Sequence, residues 1–160
     1  MLSHDGIGRC SSNQGNVMKK ALTAALAGAM VLATAALAHQ GVQNVAVMAR
    51  MDGMSAIGAN MKTLGAMAKG QIAFDAGQAN EAVAEEAARI PSLFEAQETD
   101  PKSEALPVIW SEFDRFIAIA DDLEAAATAT AGALNGPEDL GPALKAIGGQ
   151  CSACHKAYRE

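Results

Sequence analysis

The C-terminal stretch Leu144-Lys145-Ala146-Ile147-Gly148-Gly149-Gln150-Cys151-Ser152-Ala153-Cys154-His155-Lys156-Ala157-Tyr158-Arg159-Glu160 carries the densest information in the chain. Its first residues have helical composition and no β-rich run, so the two cysteines belong on a helix. Cysteines three apart lie on one side of a helical turn, and a histidine follows directly. Cys-x-x-Cys-His in that setting reads as a covalent c-type haem site. Cys151 and Cys154 then supply thioethers to the two vinyl groups, and His155 supplies the proximal axial nitrogen to iron.

Two other chemistries use the same letters. A redox dithiol of the thioredoxin type follows a strand within a βαβ unit, and no such pattern precedes Cys151. A structural zinc site needs about four ligands. Beyond the cluster, only His39 within residues 39–160 offers another imidazole, and it reads as an exposed residue near a new N-terminus.

Working outward, the other end of the chain carries an export signature. Met18-Lys19-Lys20 forms a basic start, residues 21–37 are small and apolar, and Ala36-Leu37-Ala38 ends the run as an A-x-A peptidase site. We therefore expect residues 1–38 to comprise an N-terminal extension plus a cleaved signal peptide, the signal proper being 18–38. Met18 suits an initiator better than Met1. Residues 39–160 are expected to form one domain, delivered to the periplasm and without membrane insertion after cleavage. Cys10 falls in the removed part, which leaves the two motif cysteines and no disulfide framework.

From residue 39 onward, nine Lys and Arg face seventeen Asp and Glu, a net charge of −8. That balance speaks against nucleic acid or anionic membrane as a partner and favours redox proteins that offer basic docking patches. Aromatics in this region are few: Phe74, Phe94, Trp110, Phe113, Phe116 and Tyr158. A porphyrin would add the large flat apolar body that such a core otherwise lacks.

Ala, Leu, Met, Glu, Lys and Gln dominate, so the pattern predicts an all-α chain of four helices. The first covers 42–68 and stops at Gly70, with an apolar stripe Met54, Ile57, Met61, Leu64, Ala68. The second starts after Asp75 as N-cap and ends at Ile90 because Pro91 follows. Residues 92–106 read as loop. The third begins at Pro107, carries Trp110, Phe113, Phe116, Ile117 and Leu123 inward, and fades by 132–136. Pro142 suits the first turn of the fourth, which runs to Tyr158. Four helices with short loops and no sheet make an antiparallel four-helix bundle. Gly148 and Gly149, adjacent to the motif, suggest either close approach of a porphyrin edge or neighbouring helix, or a local kink.

A haem held by one histidine either stays five-coordinate or takes a second protein ligand, and methionine sulfur is common in electron carriers. Five methionines are available, Met48, Met51, Met54, Met61 and Met67, all on the first helix. Periodicity does not choose among them, since an unbranched thioether packs almost anywhere.

Arg50-x-x-x-Met54, Leu64-Gly65-Ala66-Met67-Ala68-Lys69-Gly70, Phe74-Asp75, Pro107-x-x-Trp110 and the terminal Cys-x-x-Cys-His-x-x-Tyr-Arg together resemble the class II c-type cytochromes. The resemblance spans essentially all of residues 39–160. That family includes high-spin cytochromes c′ with an apolar distal residue, and low-spin relatives of the cytochrome c-556 type with a distal methionine. Met54, ten residues before Leu64, matches the distal methionine of the low-spin branch. Met51 is three residues out of that register, and Met61 reads as core.

The resemblance further implies that Arg50 pairs with a haem propionate and that Arg159 lies beside the proximal imidazole, on the same helical face. It also implies that Trp110 packs near the haem; plain bundle core is the simpler alternative for Trp110. Members of the family often pair as homodimers through their first two helices.

The expected function is a soluble periplasmic electron-transfer protein with one covalent haem c, low-spin and six-coordinate through His155 and Met54. Six-coordination leaves no open site for substrate, and no Ser/His/Asp or paired-carboxylate arrangement points to an enzyme. The alternative is a five-coordinate, high-spin protein of the cytochrome c′ kind that binds NO or CO for sensing or detoxification.

Overall fold

The computed structural model describes residues 41–160; the expected export signal, its cleavage site, Cys10 and His39 lie outside the described residues. Six α-helices and one 3-10 turn follow in order: α1 (Val45–Ala68), α2 (Gly77–Ala88), α3 (Ile90–Phe94), α4 (Val108–Ser111), α5 (Phe113–Ala131), the 3-10 turn Pro137–Asp139, and α6 (Leu140–Tyr158). Short connections at 69–76 and 132–139 turn the chain back on itself, and a longer one that holds α3 and α4 joins α2 to α5. α1 packs on α2, α2 on α5, α5 on α6, and α6 closes the ring against α1. This is the antiparallel four-helix bundle that the sequence predicts. No strand occurs among the described residues, only an isolated bridge between Ala105 and Arg159.

Local signals explain most helix ends. Asn44 caps α1 by accepting from the N–H groups of Ala46 (2.9 Å) and Val47 (3.1 Å). At its far end the Gln71 N–H bonds the Ala66 carbonyl and the Gly70 N–H bonds that of Met67. Gly70 adopts φ +67°, so the Schellman closure needs a residue at home in the left-handed region.

Four expectations are corrected. The N-cap of α2 is Ala76, not Asp75, and it caps with no side-chain hydrogen bond. Pro91 does not end the second helix. The break falls earlier, at Arg89, and Pro91 sits in the first turn of α3, where a missing N–H costs nothing. The expected loop is shortened accordingly. The third helix is broken at Glu112, with φ −119° and ψ 32°, into α4 and α5. In the α1 stripe, Met67 is buried in place of the exposed Ala68.

The larger core cluster gathers Ile57, Val83, Ile90, Phe94, Ile109, Phe116, Leu123, Ile147 and Tyr158 around the middle of the bundle. Phe116 is its centre, with ring centroids 4.9 Å from Phe94 and 5.4 Å from Tyr158. Burying each such side chain is worth roughly 1.5–3 kcal/mol. A second, smaller cluster gathers Leu64, Met67, Ala76 and Leu140, and Met61 packs against both.

Candidate functional site

Cys151 and Cys154 lie on α6, half-buried and uncrosslinked, packed against the core cluster that contains Phe116 and Tyr158. Their helical spacing turns both thiols the same way. Burial pushes the Cys151 thiol up from its ordinary pKa, and burial plus the neighbouring Cys151 does the same for Cys154. Both therefore stay as thiols near neutrality. His155 is exposed on the adjoining position. Desolvation holds its pKa below the usual imidazole value, helped by the Arg159 charge and opposed by Glu104. A neutral imidazole is the form that ligates a metal.

Met54 reaches the same core cluster from α1, half-buried, so the distal candidate and both cysteines share one packed region. The α1–α6 contact that closes the bundle brings their helices together. Met51 is also half-buried on α1, but it does not join that cluster.

These residues suit a covalent porphyrin. Two free thiols share a helical face with a neutral imidazole beside them, and a thioether stands on the opposing helix. The α6 backbone is also open nearby, because a Cβ added at Gly148 or Gly149 would meet no atom within 4 Å. The glycines therefore make no close contact with a neighbouring helix, and α6 continues through them. No group of three or more His, Cys, Asp or Glu side chains suited to a metal occurs among the described residues.

Arg159 lies off the expected helical face, while its charge still acts on the His155 imidazole. α6 ends at Tyr158, and Arg159 is extended (φ −130°, ψ 144°), not on the helical face of His155. Its guanidinium pairs with Glu104, and its backbone bridges to Ala105. The tail is tied down further by the Leu106 N–H to the Tyr158 carbonyl and the Glu160 N–H to the Glu104 carbonyl.

Arg50 is 3% exposed, a buried charge. Its Nε donates to the Leu93 carbonyl (2.8 Å), its Nη1 to that of Glu98 (2.8 Å), and its Nη2 to that of Ala96. The cation lies 4.8 Å from the Phe94 ring centroid and 5.5 Å from that of Trp110. Burial lowers its pKa, with Glu98 opposing. Trp110 is half-buried against the core and donates Nε1–H to the Phe94 carbonyl at 2.9 Å.

Sequence reasoning missed Asp100. Its carboxylate accepts the N–H groups of Lys102 (2.9 Å), Gln43 (2.8 Å) and Asn44 (3.1 Å), which hold its pKa below the carboxylate norm. The Thr99-Asp100-Pro101 sequence shows a turn but not the remote segment that the turn captures. The terminal motif includes Tyr158 but not its partner: its hydroxyl donates to Glu112 Oε2 at 3.0 Å.

Comparison with known proteins agrees with this geometry. The Cytochrome C' family model matches residues 45–159. A cytochrome c' of Pararhodospirillum photometricum is 38% identical over 116 residues, covering 69% of this chain and 93% of the relative. A cytochrome c-556 of Agrobacterium tumefaciens (strain apple 185) is 37% identical over 115 residues, covering 69% and 91%. The solved cytochrome c' from Rhodopseudomonas palustris superposes with TM-score 0.67 at 30% identity, over 74% of this chain and 98% of that one. With a helical bundle, Cys151-x-x-Cys154-His155 on its last helix and a family match over nearly all the described residues, the chain belongs to the cytochrome c′ family of class II c-type cytochromes, haem proteins with covalently attached haem c.

Proposed function

We propose that this protein is a soluble periplasmic electron carrier whose haem iron is ligated by His155 and Met54. Export follows from the 18–38 signal with cleavage after Ala38, and among the described residues no helix is long and apolar enough to cross a membrane. The observation that carries the ligand assignment is the shared packing of Met54, Cys151 and Cys154 on one core cluster.

The bound haem supplies one-electron chemistry. The chain's own residues hold and insulate it: Cys151 and Cys154 fix it to α6, and His155 presents a neutral nitrogen. Met54 offers a thioether from α1, and the Phe94–Phe116–Tyr158 cluster keeps water from the inner side. His155 and Met54 would both hold the haem, which would supply the one-electron chemistry without either residue having to move. The chain thus acts as a carrier and not as an enzyme. Its partners are redox proteins with basic patches suited to its acidic surface, and a second copy packed through α1 and α2 is the expected dimer.

The second reading is a high-spin, gas-binding protein, and relatives named cytochrome c' and cytochrome c-556 stand at 38% and 37% identity. The spectrum of the matured protein decides. The carrier reading expects a low-spin spectrum with the weak red band of a thioether on ferric iron, lost in Met54→Leu with gain of CO binding. A high-spin wild type, or a spectrum unmoved by Met54→Leu, overturns the Met54 assignment.

A further inference from the structure

We propose that Arg50 is a positioning residue, which clamps the 93–98 segment onto the turn of α1 that carries Met54, a role beyond that of a charge partner of the porphyrin. The proposal deepens the Met54 assignment and rests on it for its spectroscopic arm.

Each of the three guanidinium nitrogens of Arg50 already donates to a backbone carbonyl, on Leu93, Ala96 and Glu98. Trp110 Nε1 takes the carbonyl between them, on Phe94. These carbonyls lie at the C-terminal end of α3 and just beyond it, where a helix leaves acceptors without intrahelical partners. Two side chains therefore cap the end of α3 from outside it. The same two stack: the guanidinium lies over the rings of both Trp110 and Phe94.

The segment is fastened to α1 at further points. Gly53, directly before Met54, admits Leu93 so closely that a Cβ there would stand 3.1 Å from Leu93 Cδ1. Asp100 holds the N–H groups of Gln43 and Asn44, and Asn44 Nδ2 donates to Glu98 Oε2 at 2.8 Å. Arg50 is one helical turn before Met54 and, at 3% exposure, is the more deeply buried of the two buried charged links, Arg50 and Asp100. A planar five-donor fork reaches three carbonyls at once; a lysine ammonium, a compact point charge, does not. Removing the fork therefore strands buried acceptors and frees the turn that sets the Met54 sulfur.

The two roles for Arg50 predict opposite behaviour of lysine. A propionate partner needs only a cation, so Arg50→Lys would rescue; a clamp needs the fork, so Arg50→Lys fails much as Arg50→Gln does. The experiment uses the matured haem protein with Arg50→Lys, Arg50→Gln and Trp110→Phe, each checked for wild-type helix content. Limited proteolysis within 95–106 should accelerate about tenfold or more for both Arg50 variants, and by less for Trp110→Phe, which keeps the ring but loses one hydrogen bond. The red thioether band should weaken and CO uptake should appear in the same two variants. Rescue of both readouts by lysine, or wild-type proteolysis in Arg50→Gln, overturns the clamp. Should the wild type itself lack the red band, the Met54 assignment fails while proteolysis alone still decides the clamp.

Discussion

Asp100 shows how much a single loop carboxylate can organise. Its three N–H partners stabilise the ionised form, so the folded pKa lies below the unfolded value of about 3.9. A depressed acid contributes stability that is present above the unfolded pKa and lost as pH falls through the folded one. The melting temperature should therefore drop as pH goes from about 4 downward. Asp100→Asn, which keeps an acceptor but not the charge, should flatten that acid limb; an unchanged acid limb in Asp100→Asn would contradict this. At Tyr158, deleting the hydroxyl leaves Glu112 with Arg115 as partner, so Tyr158→Phe should cost only about 0.5–1.5 kcal/mol in a denaturant titration. Residue chemistry was legible where spacing itself is the chemistry, as in Cys151, Cys154 and His155. The bonding partners of Arg50, Arg159 and Trp110 were not legible. What a guanidinium or an indole N–H bonds to depends on which carbonyls and carboxylates the fold brings near, and those come from 40 or more residues away for Arg50.

Among elements, α1 carries the clearest local signature and the clearest test. Gly70 sits at φ +67°, where an L side chain is strained by about 1–2 kcal/mol. Gly70→Ala should lower stability by that amount, measured by urea unfolding, and leave the haem spectrum unchanged. Gly149 behaves oppositely: it lies within α6, and a Cβ there meets nothing within 4 Å. Gly149→Ala should raise stability by up to about 1 kcal/mol through helix propensity alone. Poorer haem incorporation in that variant would show instead that the position serves the porphyrin. The helix at 107–131 was visible as one hydrophobic period, yet Glu112 interrupts it. Periodicity reports which face is apolar and says little about a break at one residue, here Glu112, whose carboxylate also accepts from Tyr158. Pro91 misled for a related reason, since proline both stops one helix and starts another.

For the whole molecule, the aromatic-poor composition makes the core depend on a few large groups. Phe116→Ala removes the ring around which Phe94, Phe113 and Tyr158 are arranged and should cost about 3–5 kcal/mol, read as a fall in denaturation midpoint. Cys151→Ser with Cys154→Ser blocks covalent attachment, and thermal melts should show a lower and broader transition than in the matured protein. A colourless but equally stable product would mean that the described bundle does not rely on the cofactor for packing. The net acidic charge makes encounter with a basic redox partner faster at low ionic strength, which stopped-flow measurements across a salt series would detect.

The order of residues alone determined the helical class, the attachment motif with its histidine, and the stop at Gly70, because each follows from contacts within a few positions of the chain. Tertiary structure decided the rest. Bringing α1 against α6 placed Met54 and the cysteines on one core, and folding 93–100 back onto α1 gave Arg50, Asp100 and Trp110 their partners. The reason is that a buried polar group must be satisfied by whichever acceptors surround it, and those neighbours exist only once distant segments have packed.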